Sequence, residues 1–205
     1  MKRLILFSNV TELAQQKVFP LMFPGEIQRK VFACMPSDGS LRGRRYELFT
    51  DSWRSIANQY NAEFLYIDNS KEDSTEEKAK LNQANILLIT GGNTCVLLRN
   101  LRRSGLDKAI IGFAQKDQYI VAGYSAGGMV LTPTVRLAAF EPWENENIGV
   151  GLTNFEALHL VTYEIFPHYS EEAKAIFELY RKTTPNEVKP IADDEYILVD
   201  VECSQ

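Results

Sequence analysis

Short runs of aliphatic, β-branched and aromatic residues recur along the chain: Leu4–Phe7, Val31–Cys34, Phe64–Ile67, Ile86–Thr90, Tyr119–Ala122, His159–Phe166 and Tyr196–Val201. Some, such as Ile86-Leu87-Leu88-Ile89, are apolar at consecutive positions, the pattern of a strand covered on both faces. Longer amphipathic stretches separate the runs. Alternation of this kind predicts βαβ units and a mostly parallel sheet, an α/β fold.

Two of the intervening stretches carry helix signals. After Asn93-Thr94, an N-cap candidate, the apolar residues Val96, Leu97, Leu98 and Leu101 lead to a basic last turn and to Gly105 as a stop. From Ser170, Glu171 and Glu172 lie where a helix dipole favours anions, Ala173, Ile176, Phe177 and Tyr180 share a face, and Arg181 and Lys182 close the segment. Tyr46–Tyr60 also has near-helical spacing of Phe49, Trp53, Ile56, Ala57 and Tyr60. The highly charged Lys71–Lys80 reads as lying beside a loop. In Thr11–Gly25, Pro20 and Pro24 interrupt an otherwise possible helix. Phe140–Asn154, rich in Glu, Asn and Gly, reads as a long loop, and loops of that length in a compact domain are often functional.

The 205 residues, 45% hydrophobic and 24% charged, predict one globular domain spanning 1–205. The net charge of −5 leaves no positive field for a duplex, so no nucleic-acid partner is expected. Four apolar residues after Met1-Lys2-Arg3 fall short of an export signal, and no run approaches a membrane span. Cys34, Cys95 and Cys203 are scattered without zinc-site spacing; a reducing, cytoplasmic location is expected. The sequence leaves the oligomeric state open.

The most informative run is Tyr119–Val130, in which an apolar strand reaches Gly123-Tyr124-Ser125-Ala126-Gly127 and then a short helical segment. A chain of this composition would match Gly-x-Ser-x-Gly by chance only roughly 0.04 times, and strand, tight turn and helix are the setting of a nucleophile elbow. A serine hydroxyl needs a base within hydrogen-bond reach and a third group to orient that base. His159 starts an apolar run and reads as structural. His168 follows the strand, at the same sheet edge as Ser125, and is the candidate base. The third member stays open at this point, among Asp193-Asp194-Glu195 and Glu141, Glu144 and Glu146. An oxyanion hole would use the amide of Ala126 and one from Gly91-Gly92-Asn93-Thr94.

Four pieces, Gly91-Gly92-Asn93-Thr94 with Leu97-Leu98, Gly123-Tyr124-Ser125-Ala126-Gly127, Pro133-Thr134-Val135-Arg136 and Pro167-His168-Tyr169, together resemble the serine peptidases that include aspartyl dipeptidase (dipeptidase E) and cyanophycinase. The resemblance covers about Tyr46 to Val201. It implies a three-layer, doubly wound, flavodoxin-like sheet related to the class I glutamine amidotransferases, no metal or organic cofactor, and a small peptide as substrate, dipeptides with an amino-terminal aspartate among them. It implies Ser125 as nucleophile and His168 as base. It also implies Asp193 as the acid, by position in Ile191-Ala192-Asp193-Asp194, although the family residue there is a glutamate. Asp194 and Glu141 remain alternative acids. For acyl transfer by this relay the amides of Gly92 and Ala126 are expected to hold the oxyanion, Asn93 lies beside them, and Arg136 is a candidate partner for a substrate carboxylate. Phe140–Asn154 departs from the dipeptidase pattern, where substrate choice would lie.

Two other readings share some of these features. An α/β-hydrolase esterase has the elbow but expects the order serine, acid, histidine, whereas the best acid here follows the histidine. A peptidase-like binding module without turnover would keep the fold but not the reactivity of Ser125.

Overall fold

The structure, a computed structural model, describes residues 2–201, so Cys203 lies outside it. Strands β1 (Lys2–Phe7), β2 (Lys30–Met35), β3 (Ala62–Tyr66), β4 (Ile86–Ile89) and β5 (Tyr119–Tyr124) are mutually parallel. A further pair, β6 (Glu164–Phe166) and β7 (Val188–Pro190), forms a small parallel sheet of its own. The last strand, β8 (Tyr196–Val201), returns antiparallel to β1, completing a six-stranded order of β3-β2-β4-β5-β1-β8.

Period-two geometry explains why the core strands are apolar throughout. Leu4 and Leu6 of β1 point to one side of the sheet and Ile5 and Phe7 to the other; Val31, Ala33 and Met35 alternate likewise with Phe32 and Cys34 in β2. Helices cover both sides. Val18, Phe19 and Met22 of α1 (Glu12–Met22) and Trp53 and Ala57 of α2 (Gly43–Gln59) pack on one face. On the other lie Leu81 of α3 (Thr75–Gln83), Leu97, Leu98 and Leu101 of α4 (Thr94–Ser104), and Leu106, Ile110 and Phe113 of α5 (Leu106–Phe113). Each Val, Leu, Ile, Phe or Met side chain among them contributes about 1.5–3 kcal/mol on full burial. The result is the expected three-layer, doubly wound α/β fold. Among the described residues no helix is long and apolar enough to cross a membrane.

Several local expectations are corrected. The segment interrupted by prolines is helical from Glu12 to Met22 with Pro20 inside it. Pro20 falls in the last turn, where one lost hydrogen bond is offset by burial of Val18, Phe19 and Met22, and Thr11 caps the start through its side chain. The charged Lys71–Lys80 segment contributes most of α3, whose buried Glu77 is paired with Lys71 and Lys80. The segment after Ser170 first makes tight turns, with Ala173 N–H bonded to the Ser170 carbonyl, and helix α7 begins only at Lys174 and ends at Tyr180.

The run His159–Phe166 is strand only from Glu164. Its first residues and Leu158 before them bond instead to the stretch after the elbow, Leu158 to Val130, His159 to Thr132 and Leu160 to Leu131, which satisfies those backbone groups without a strand ladder. His159 accordingly takes a left-handed φ of 54°.

Candidate active site

Three strand ends converge because of sheet direction. In the parallel pair β1 and β5, Phe7 is opposite Tyr124, so the next residues, Ser8 and Ser125, emerge side by side at the carboxyl edge; Ser125 N–H also donates to the Phe7 carbonyl at 3.1 Å. Antiparallel β8 places Tyr196 opposite Phe7, which brings the residues before it, Asp193 among them, to that same edge. The small sheet completes the arrangement. Phe166 is opposite Pro190, and Tyr169 N–H bonds to the Ile191 carbonyl, so the segments carrying His168 and Asp193 leave β6 and β7 together.

Ser125 sits in a sharp turn with φ 48° and ψ −119°, followed by the single-turn helix α6 (Ala126–Met129). A non-glycine residue with φ in this range is strained, and such strain is held only where the surroundings fix it. Gly127 is part of what fixes it: a Cβ there would lie 2.0 Å from the Ile89 carbonyl oxygen. Gly127→Ala must therefore push β4 and the elbow apart. It is expected to cost roughly 3 kcal/mol, read as a Tm drop of about 6–12 °C by calorimetry; an unchanged Tm would contradict this close contact.

Ser125 Oγ lies 2.9 Å from His168 Nε2, and His168 Nδ1 lies 2.7 Å from Asp193 Oδ1. An ionised carboxylate only accepts, so Nδ1 carries the proton and the Nε2 lone pair faces the serine. Ser8, fully buried, ties the series together: its hydroxyl donates to Asp193 Oδ1 at 2.9 Å and accepts the His168 backbone N–H at 2.6 Å. Asn9 Nδ2 donates to Asp193 Oδ2 at 3.3 Å. His168 has a φ of 56°, a left-handed turn stiffened by Pro167 before it.

Burial pushes the Asp193 carboxyl up, but hydrogen bonds from His168, Ser8 and Asn9 outweigh it and hold the group below the ordinary carboxylate value. A carboxylate depressed on folding adds stability above its unfolded value, about 3.9 for aspartate, and that contribution is lost as pH falls through the folded value. The side chain is half exposed, so the contribution is modest. Thermal melts from pH 6 to pH 2 should show a shallower acid-side decline in Asp193→Asn than in the wild type; identical slopes would contradict the assignment.

The serine and histidine open onto a cleft of about 350 Å³, also lined by Gly92, Met129, Ala138, Trp143, Glu144, Glu146 and Pro167. Gly91 abuts the elbow, since a Cβ on it would lie 3.2 Å from the Ser125 Cβ, and Gly92 follows at φ 136°. Among the described residues the amides of Gly92 and Ala126 have no backbone hydrogen-bond partner, which leaves both available to a ligand.

Other expected positions do not meet the serine. Asn93 caps α4 by accepting from Val96 N–H and holds the 140–154 loop through Nδ2 to the Glu146 carbonyl at 2.9 Å. Arg136 is exposed on a short 3-10 helix, Arg136–Ala139, and lines a different depression with Phe140, Phe155, Tyr180 and Thr183, outside the cleft lining. Glu141 is exposed and bonded to Asn145 Nδ2. Asp194 faces another depression beside Lys17. Glu146 does reach the cleft, but its carboxylate accepts from Thr94 N–H rather than from His168. Ser8 had no motif to announce it, only its place one residue beyond the carboxyl end of β1.

The profile of peptidase family S51 matches residues 8–203. An uncharacterized peptidase of Pasteurella multocida (strain Pm70) is 29% identical, over 98% of this chain and 95% of its own length. Peptidase E of Escherichia coli is 32% identical over 92 residues, 45% of this chain and 37% of its own. The crystal structure of a Listeria monocytogenes protein provisionally named peptidase E superposes with a TM-score of 0.76 and 25% identity, covering 97% of this chain and 94% of that one. The match over nearly the whole chain places it in peptidase family S51, as a hydrolase of the serine-peptidase class.

Proposed function

We propose that the protein hydrolyses small peptides through Ser125, His168 and Asp193 by way of an acyl-enzyme. The observation that carries this reading is the unbroken hydrogen-bond series from Ser125 Oγ through the imidazole to the Asp193 carboxylate. His168 Nε2 takes the hydroxyl proton as Ser125 Oγ attacks the scissile carbonyl carbon, and the carbonyl π electrons move to oxygen. The amides of Ala126 and Gly92 hold that oxyanion; losing one such donor typically costs about 2.7–4 kcal/mol. His168 then delivers its proton to the leaving amine as the C–N bond breaks. Water, deprotonated by the same nitrogen, releases the acyl group. Asp193 keeps the productive tautomer and stabilises the imidazolium formed in each half-reaction, while Ser8 and Asn9 fix the carboxylate.

A dipeptide library incubated with wild type and Ser125→Ala side by side tests the reading. Cleavage by the wild type alone is the expected result, and equal turnover by both proteins would overturn it. Short acyl esters belong in the same assay, because hydrolysis of esters without any peptide cleavage would favour an esterase.

A further inference from the structure

The charges in the cleft are one-sided. Glu144 stands at its exposed rim and Glu146 is half-buried deeper in, while among the described residues no lysine or arginine lines it. Among the described residues neither glutamate belongs to an ion pair. A partly desolvated carboxylate without a cation is costly to keep ionised, and burial indeed raises the Glu146 carboxyl above its ordinary value, even against the hydrogen bonds from Thr94.

Glu146 is held firmly in place. Its own N–H bonds to the Ala138 carbonyl at 2.8 Å, its carbonyl accepts from Asn93, and its carboxylate caps Thr94 N–H at the start of α4. The next residue, Asn147, clamps the loop through two bonds to Leu152, of 2.8 and 2.7 Å. The N-terminus of α4, beside the cleft, favours an anion, and the protein's own carboxylate fills it. An aspartate side chain on the substrate would meet two negative groups and no positive one. A cation would meet the reverse, with Met129, Ala138 and Trp143 available to an aliphatic stem.

We propose that this cleft takes peptides bearing a positive charge on the acyl side of the scissile bond, with Glu146 as the specificity-determining residue and Glu144 assisting at the rim, and that it discriminates against aspartate there. The proposal rests on the serine-peptidase reading of the same cleft. The charge has two chemical sources, a free amino terminus or a lysine or arginine side chain.

The test is a kcat/KM series on X-Leu dipeptides with X as Lys, Arg, norleucine, Gln and Asp, together with their N-acetylated forms. A preference of at least tenfold for Lys and Arg over norleucine identifies the side chain as the source. A loss of at least tenfold on acetylation, with little dependence on X, identifies the amino terminus. In either case Asp-Leu should be the poorest free dipeptide. Glu146→Gln, which keeps an oxygen for Thr94 N–H, should shrink the charged-to-neutral ratio at least fivefold, and Glu144→Gln, at an exposed position, should shrink it less. Hydrolysis of Asp-Leu as fast as norleucine-Leu, or indifference to both acetylation and side-chain charge, would overturn the proposal while leaving the peptidase reading intact. No cleavage of any member by a folded protein that also fails to react with a serine-directed phosphonate would defeat that reading and the proposal with it.

Discussion

Ser125→Ala is expected to lower kcat by roughly 10⁴ to 10⁶ with the fold unchanged, and His168→Ala by a comparable factor. The two groups act on one proton, the one that moves from Ser125 Oγ to His168 Nε2 across 2.9 Å. Removing either partner therefore removes the same step. The double variant should be scarcely worse than either single one, because residues that act as a unit are not additive. Residual turnover would come from the Ala126 and Gly92 amides and from substrate positioning. Both side chains lie at the sheet edge, outside the main core, so far-ultraviolet circular dichroism and Tm should stay near the wild type. Steady-state kinetics of the three variants checks this; kcat values that fall multiplicatively would show that serine and histidine act in separate steps.

Asp193→Asn is the second large effect. Asparagine has nearly the same shape, but its amide can present N–H to His168 Nδ1, which then must accept and leave its proton on Nε2, pointing at the serine. Ser125 then faces a donor instead of a base. A loss of about 10³ to 10⁴ in kcat is expected with KM little changed, by analogy with the aspartate of the serine-protease triad. Asp194→Asn and Glu141→Gln should leave kcat within a factor of about two, since neither carboxylate bonds to His168. A large loss in either, with Asp193→Asn active, would move the relay to the other acid.

Much of this was legible in the sequence for physical reasons. Consecutive apolar residues in Ile86–Ile89 and Tyr119–Ala122 are demanded by strands buried on two faces, so a mostly parallel sheet covered on both sides followed from patterning. The elbow was legible because close backbone approach at Gly127 permits no side chain. Long-range pairing was not legible. Asp193 meets His168 because β8 reverses direction and β6 pairs with β7, and neither fact is written in local spacing. Two acids adjacent in sequence, Asp193 and Asp194, end on different sides of the chain, and the residues themselves are too alike to show which one turns inward. Arg136 belonged to a matching motif yet faces another depression, and Glu146, one acid among three in a polar loop, proved to be the one anchored in the cleft. Pro20 misled because a proline in a last helical turn forfeits only one bond, a loss that a buried face outweighs.

The most direct measurement is covalent labelling by an active-site serine phosphonate, read by intact mass and peptide mapping. The account predicts one adduct per chain, on Ser125, formed by the folded wild type and abolished in both Ser125→Ala and His168→Ala. A folded protein that forms no adduct, or carries it on another residue, would contradict it.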